Sequence, residues 1–234
     1  MSATIDRQER IGAAAARHRG LAEVFENLGL DYYCEGDLTI EEALRGAALD
    51  TPEVMARIEQ AAAQPAGTDW DDKPLGEVIG FIEREYHDVA RCRLFSIAYR
   101  IGDACAKEGS PRLDQLRKNF RVLSEELIAH IEREQLIVFP AIVALEDAWM
   151  KGHPAPPVFA GGIRTEASRL VLEHFAIVQR LRNVRAGEPP ALAARVEHLT
   201  RQIHQFINLE NCVVLPRAMA LEESVTKEEL PCHS

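Results

Sequence analysis

Four stretches of this sequence put a histidine or a glutamate where a helix core would take an apolar residue. A bundle core recurs about every 3.5 residues, in alternating steps of four and three. Leu116, Phe120, Leu123, Leu127, His130, Glu134, Ile137 and Ala141 follow that rhythm, with His and Glu in two consecutive places. Ile163, Ala167, Leu170, His174, Ile177, Leu181 and Val184 contain one polar intruder, and Leu192, Val196, Leu199, Ile203, Phe206, Glu210 and Val213 another. Gly80, Glu83, His87, Ala90, Leu94, Ile97 and Ile101 carry His87 and, one turn earlier, Glu83.

Taken singly, each intruder has an ordinary explanation. A lone histidine on an apolar face is usually a hydrogen-bonded core residue, and a lone glutamate there reaches solvent along its own methylenes. Taken together they need another one. Leaving a buried carboxylate without its partner costs about 3–5 kcal/mol, and no Lys or Arg shares these stripes with Glu134 and Glu210. A bound cation compensates both carboxylates and uses the neutral imidazoles of His87, His130 and His174. Carboxylates with imidazoles inside a bundle are the di-iron or di-manganese pattern, whereas zinc more often recruits thiolate or closes a single tetrahedral site. Two non-haem irons per chain are the favoured reading.

The elements that must carry these residues are helices. From Pro74 to about 222, four amphipathic patterns alternate with the breakers "KEGSPR", "KGHPAPPVFAGG" and "AGEPP", and no strand-like alternation intervenes. This predicts an all-α up-down-up-down four-helix bundle over 74–222. Residues 1–65 predict a small helical domain. Its patterns run through "ERIGAAAARHRGLAEVFENLGL", "TIEEALRGAAL" and "TPEVMARIEQAAAQ", with starts at Thr39 (Glu42 following) and Thr51 (Pro52 following). The segment "QPAGTDWDDKP" connects the two parts, and 223–234 reads as a tail, disordered around Cys232 and His233.

Composition narrows the function. A net charge of -10, with no clustering of Lys and Arg on one face, argues against a nucleic-acid partner. No run of about 18 uncharged apolar residues predicts a membrane span, and the charged N-terminus does not read as a signal peptide. A cytoplasmic protein is expected. The five scattered cysteines include no C-x-x-C pair and predict neither a disulfide framework nor a zinc site.

"EYHDVARCRL", "EELIAHIEREQLIVFPAI", "LVLEHFAIVQRL" and "INLENCVVLPRAM" resemble the four helices of the hemerythrin-like di-iron domain in the iron-sulfur cluster repair family, also called RIC or ScdA-, DnrN- and NorA-type. "LGLDYYCEGDLTIEEA" resembles that family's short N-terminal domain. The resemblance implies that His87, His130, Glu134, His174 and Glu210 are metal ligands, with the two glutamates bridging. It also implies a part in the response to nitric oxide.

Two departures from the family pattern stand out. The family repeats H-x-x-x-E in its fourth helix, where this sequence has Phe206 four residues before Glu210. His204 is near in sequence but turned about 120° from Glu210 on an ideal helix. Glu83 and a water-completed iron are the other ways to fill that place. In the N-terminal motif the family has adjacent cysteines, whereas "DYYCEG" keeps only Cys34, either a reactive thiol or a structural one. Glu173, beside His174, is either an outer acceptor to a ligand or a surface charge. Cys212 reads as packing, and His18, His153 and His198 read as solvated.

The expected function is a di-iron protein of the nitrosative and oxidative stress response. It would repair damaged iron-sulfur clusters or capture nitric oxide, with iron-sulfur proteins as clients, an unknown reductant, and a homodimer as one assembly. The alternatives are a module that reversibly binds nitric oxide or oxygen without turnover, and a metal-poor scaffold.

Overall fold

A computed structural model of the chain describes residues 5–65, 67–154, 156, 159 and 161–228. Cys232 and His233 lie outside the described residues. Every regular element among those described is helical, and the one β-contact is an isolated antiparallel bridge between Arg10 and Thr39. None of the described helices is long and apolar enough to cross a membrane.

The N-terminal part is built from α1 (Ile11–Arg17), α2 (Arg19–Leu28), α3 (Ile40–Gly46) and α4 (Pro52–Ala62). Both expected starts are present. The Thr39 side chain accepts from the Glu42 N–H while the Glu42 carboxylate accepts from the Thr39 N–H, and Thr51 accepts from the Val54 N–H with Pro52 leading the helix. The single helix expected through "AAAARHRGLAEV" breaks at His18, which is extended. The hydrogen bonds explain the break: the Leu21 N–H donates to the His18 carbonyl, and the Arg17 carbonyl accepts from the Gly67 N–H in the connector instead. Ile11, Leu21, Phe25, Tyr32, Ile40, Leu44 and Ile58 are buried and form the apolar centre of this part.

The other helices are long. We label them α5 (residues 75–108), α6 (111–150), α7 (Gly162–Gly187) and α8 (190–228). They stop where the breakers stand. Gly109, left-handed at φ 51°, closes α5, and Ser110 then caps α6 by accepting from the Leu113 N–H, with Pro111 in its first turn. Two helix starts are capped from a distance by glutamates: Glu146 accepts from the N–H groups of Leu75 and Gly76, and Glu222 from that of Ile163. A carboxylate at a helix N-terminus satisfies donors that lack an intrahelical acceptor and meets the positive end of the dipole.

The helices divide into two compact units: residues 1–74 with 205–217, and residues 75–204 with 218–234. In the second, α6 packs against α5 along both of its halves and against α7. Leu94, Ile97, Phe120, Leu127, Leu170, Leu181 and Ile203 belong to its buried centre. Burying each such side chain is worth roughly 1.5–3 kcal/mol. That burial fixes the helix register and thereby the direction of the polar residues in the same stripes.

Candidate metal centre

Each of the long helices α5, α6 and α8 contains one π-turn, and each π-turn begins or ends on an expected ligand: Glu83–His87, Glu134–Val138 and Glu210–Val214. In each, an amide bonds back five residues rather than four: Asp88 N–H to the Glu83 carbonyl, Phe139 to Glu134 and Leu215 to Glu210. A π-turn inserts one residue into an α-helix and so shifts everything beyond it by one place.

That shift corrects the sequence reading of the stripes in two places. Beyond Glu134 the buried residues include Val138, Ile142 and Leu145, while Ile137, expected in the stripe, is 53% exposed, and Ala141 is only half-buried. Before His87 the buried residues are Ile79 and Ile82, not Gly80 and Glu83. Glu83 is half-buried and lies one residue past Ile82. One sequence signal marks two of the turns: Pro140 and Pro216 each stand six residues after the glutamate. A proline inside a helix supplies no N–H and collides with the carbonyl four residues back, so a locally widened turn before it is favoured.

His130, Glu134, His174 and Glu210 are all buried, and each presents a ligand atom within 4.8 Å of the others. The Nε2 atoms of His130 and His174 are 3.0 Å apart, with the rings crossing at 74°. That spacing is what two neighbouring ligands have when each lies about 2.1 Å from one ion. Glu134 is two-sided. Its Oε1 lies 3.3 Å from His130 Nε2 and 3.9 Å from His174 Nε2, and its Oε2 lies 3.6 Å from His87 Nε2. His87 is fully buried and stacked on Phe139, on the opposite side of that carboxylate from the other two histidines. His204 is buried but outside the group of four, and Phe206 is completely buried.

The buried donors could hold a cation. Among the described residues, the buried polar and charged side chains are four histidines, Glu134, Glu210, Thr200 and Asn208, with no Lys or Arg. Burial opposes ionisation of Glu134, but the charge and hydrogen bonding of His130, contact with His174 and the charge of His87 outweigh it, holding the carboxyl well below the usual carboxylate range. The donor set of oxygens and imidazole nitrogens suits iron, manganese or zinc.

Glu173 meets His130 from outside. Its carboxylate lies 2.9 Å from His130 Nδ1 and accepts from Arg133 and Arg169 at 3.0 and 3.1 Å, while Arg133 also binds Glu166. A neutral His130 that donates Nδ1–H to Glu173 turns the lone pair of Nε2 inward, the tautomer a metal ligand would need. His130 Nδ1 and the Arg133 guanidinium hold the Glu173 carboxyl below its ordinary value. A cleft of about 300 Å³ opens beside this pair between α6 and α7, lined in part by Ala129, Arg169, Ala176 and Ile177.

Cys34 and Cys212 belong to the unit made of residues 1–74 and 205–217. Cys34 is half-buried and its N–H donates to Asp31 Oδ1 at 2.7 Å. Burial, with a smaller contribution from the Asp37 charge, pushes the Cys212 thiol up to about 12, so it stays protonated at neutral pH.

Comparison with known proteins finds both a domain match and full-length relatives. Residues 7–62 match the ScdA_N domain, described as a domain of unknown function. The chain is 31% identical over 211 residues to the iron-sulfur cluster repair protein YtfE of Enterobacter sp. (strain 638), covering 85% of this chain and 91% of the relative. It is 27% identical over 226 residues to the protein of the same name from Escherichia coli O1:K1, covering 92% and 99%.

Proposed function

We propose, from the premise that the chain belongs to the YtfE-type family of iron-sulfur cluster repair proteins, that it holds non-haem iron between the two sides of Glu134 and takes part in the repair of damaged iron-sulfur clusters. The observation that carries this reading is the buried group of His130, Glu134, His174 and Glu210, with His87 on the far oxygen of Glu134. Iron bound there would supply a redox-active centre with room for a small ligand such as nitric oxide or oxygen, and it is also the cargo that a damaged cluster lacks.

In this reading the two oxygens of Glu134 face two unequal positions. On the Oε1 side, His130 and His174 both face the carboxylate, and Glu173 fixes the His130 tautomer. On the Oε2 side, His87 does so. The family resemblance puts a further imidazole four residues before Glu210, where this chain has Phe206. With Phe206 in place of that imidazole, the second position would hold an ion less firmly than the first. An exchangeable iron beside a retained one suits delivery to client clusters when a reductant is present. It equally suits capture of nitric oxide at the open side.

Iron per chain on anaerobically purified protein, with Mössbauer and electronic spectra before and after nitric oxide, tests the proposal. One firmly held iron, with a second that loads in excess Fe(II) and whose spectrum changes on exposure to the gas, is expected. A chain that binds no iron sinks it and leaves the metal-poor scaffold. Iron that binds nitric oxide but never reactivates an added damaged cluster favours the gas-binding module instead.

A further inference from the structure

The π-turn that carries Glu210 belongs to the same compact unit as residues 1–74. The contacts are specific. Asn211, the residue after Glu210, donates its Nδ2–H to the Tyr33 carbonyl at 2.8 Å. Cys212, the next residue, lodges its Sγ in a notch made by two glycines: a Cβ on Gly36 would lie 2.7 Å from the sulfur, and one on Gly12 closer still. The notch is itself tied together, since the Gly12 N–H donates to the Gly36 carbonyl at 3.0 Å. One turn further on, the Arg217 guanidinium donates to the carbonyls of Trp70 and Lys73 at 2.6 Å each.

We propose that the N-terminal segment is a clamp on the Glu210 turn, with Asn211 and the Gly12–Gly36 notch as positioning residues that hold this carboxylate at the metal. The inference rests on Glu210 being a ligand, as proposed above. Its physical basis is that a π-turn is a rare one-turn departure from the α-helix around it, so contacts from outside the helix help to fix its geometry. Asn211 and Cys212 are where that fixing occurs. The loop that provides it, residues 33–36, also carries Cys34, so a change at that loop reaches Glu210 through two adjacent side chains. Loosening the loop is then a route to releasing iron, and tightening it a route to retaining iron.

Two readouts on the full chain test this, one of them independent of metal. Asn211→Ala deletes the donor, and Asn211→Asp keeps its size while putting an acceptor against the Tyr33 carbonyl. Gly36→Ala forces Cys212 out of the notch. In the metal-free chain, hydrogen exchange at the amides of 211–215 is expected to accelerate about fivefold in Asn211→Ala, what one lost hydrogen bond is worth, while amides of 94–101 in α5 keep the wild-type rate. In the Fe(II)-loaded chain, transfer of iron to a colorimetric chelator is expected to quicken by a similar factor, and a Co(II)-loaded sample should show an altered ligand-field spectrum. Unchanged exchange at 211–215 in all three variants overturns the clamp whether or not metal binds. Faster exchange with unchanged iron transfer and cobalt spectrum overturns the link to the metal. A wild-type chain that takes up no iron defeats the metal reading alone, and the exchange rates still decide the clamp.

Discussion

Glu134 and Phe206 are the two residues whose side chains say most about what the interior is for. Removing one member of a buried ionic group destabilises a fold, whereas replacing the whole group by apolar residues of similar size often stabilises it by about 1–4 kcal/mol. Replacing Glu134, His87, His130 and His174 together by apolar residues is therefore expected to abolish iron binding while raising the metal-free unfolding free energy by about 1–2 kcal/mol, read from urea titrations. A variant less stable than the metal-free parent would mean that these groups hold the fold and are not kept there for a cation. Phe206 argues in the opposite direction, since it is fully buried beside a ligand-bearing turn and offers no donor atom. Phe206→His should lower the metal-free stability, because apolar burial is lost, yet tighten the second iron by at least about tenfold, given that even an outer partner of a ligand is worth roughly 10–100-fold in affinity. Calorimetric titration with Fe(II) reads both effects, and a second binding step that stays as weak as in the parent would show that the position beside His87 is not limited by its imidazole count.

At the scale of the helix, the π-turns separate what could be read from what could not. The stripe from Leu116 to Glu134 and the one from Ile163 to Val184 were legible because unbroken α-helix preserves the 3.5-residue rhythm over many turns. The stripe was lost beyond Glu134 and before His87 because the rhythm itself contains no mark of an added residue; only the prolines at 140 and 216 hinted at one. The buried positions of His87, Glu134 and Glu210 could be read because they sit on the regular side of each turn, whereas Glu83, on the other side of its turn, was placed one residue off. The break at His18 was hidden for a related reason, as the group that takes the Arg17 carbonyl comes from the connector, 50 positions away in sequence. Deleting Leu136, 75% exposed inside the second turn, together with Pro140→Ala, would restore a continuous α-helix with Val138 and Ile142 at regular core places. That variant is expected to stay folded, with metal-free thermal stability equal to or above the parent, and to bind iron at least about tenfold more weakly because Glu134 is no longer presented by a π-turn. Circular dichroism and metal titration together decide it, and undiminished affinity would deny the turn any part in aiming the carboxylate.

For the whole molecule, the question is how one chain makes two units when the segment completing the first returns more than 130 residues after the connector. Along the sequence, "QPAGTDWDDKP" separates an N-terminal part from a bundle, and the helical character of both sides follows from composition and periodicity. Which residues of α8 pack with residues 1–74 does not follow, because Ile207, Asn208, Val213 and Val214 have the same apolar or small polar character as neighbours that pack within the bundle. The contacts that distinguish them are a side-chain amide on a backbone carbonyl, a sulfur between two glycines and a guanidinium on two carbonyls, and none of these has a periodic signature. Cooperativity is the consequence that can be measured. If residues 1–74 formed a complete domain of their own, cutting the connector would free them; if residues 205–217 supply part of their packing, they should stay bound. A site-specific protease sequence inserted after Gln64, in the exposed connector, allows the cut in the folded protein. The fragments are expected to co-elute on native size exclusion and to unfold in one shared transition, several degrees below that of the uncut chain, since covalent linkage no longer supplies the effective concentration that holds them together. Separate elution after the cut, with each fragment keeping its helical signal, would show that the grip on α8 is too weak to position anything on it.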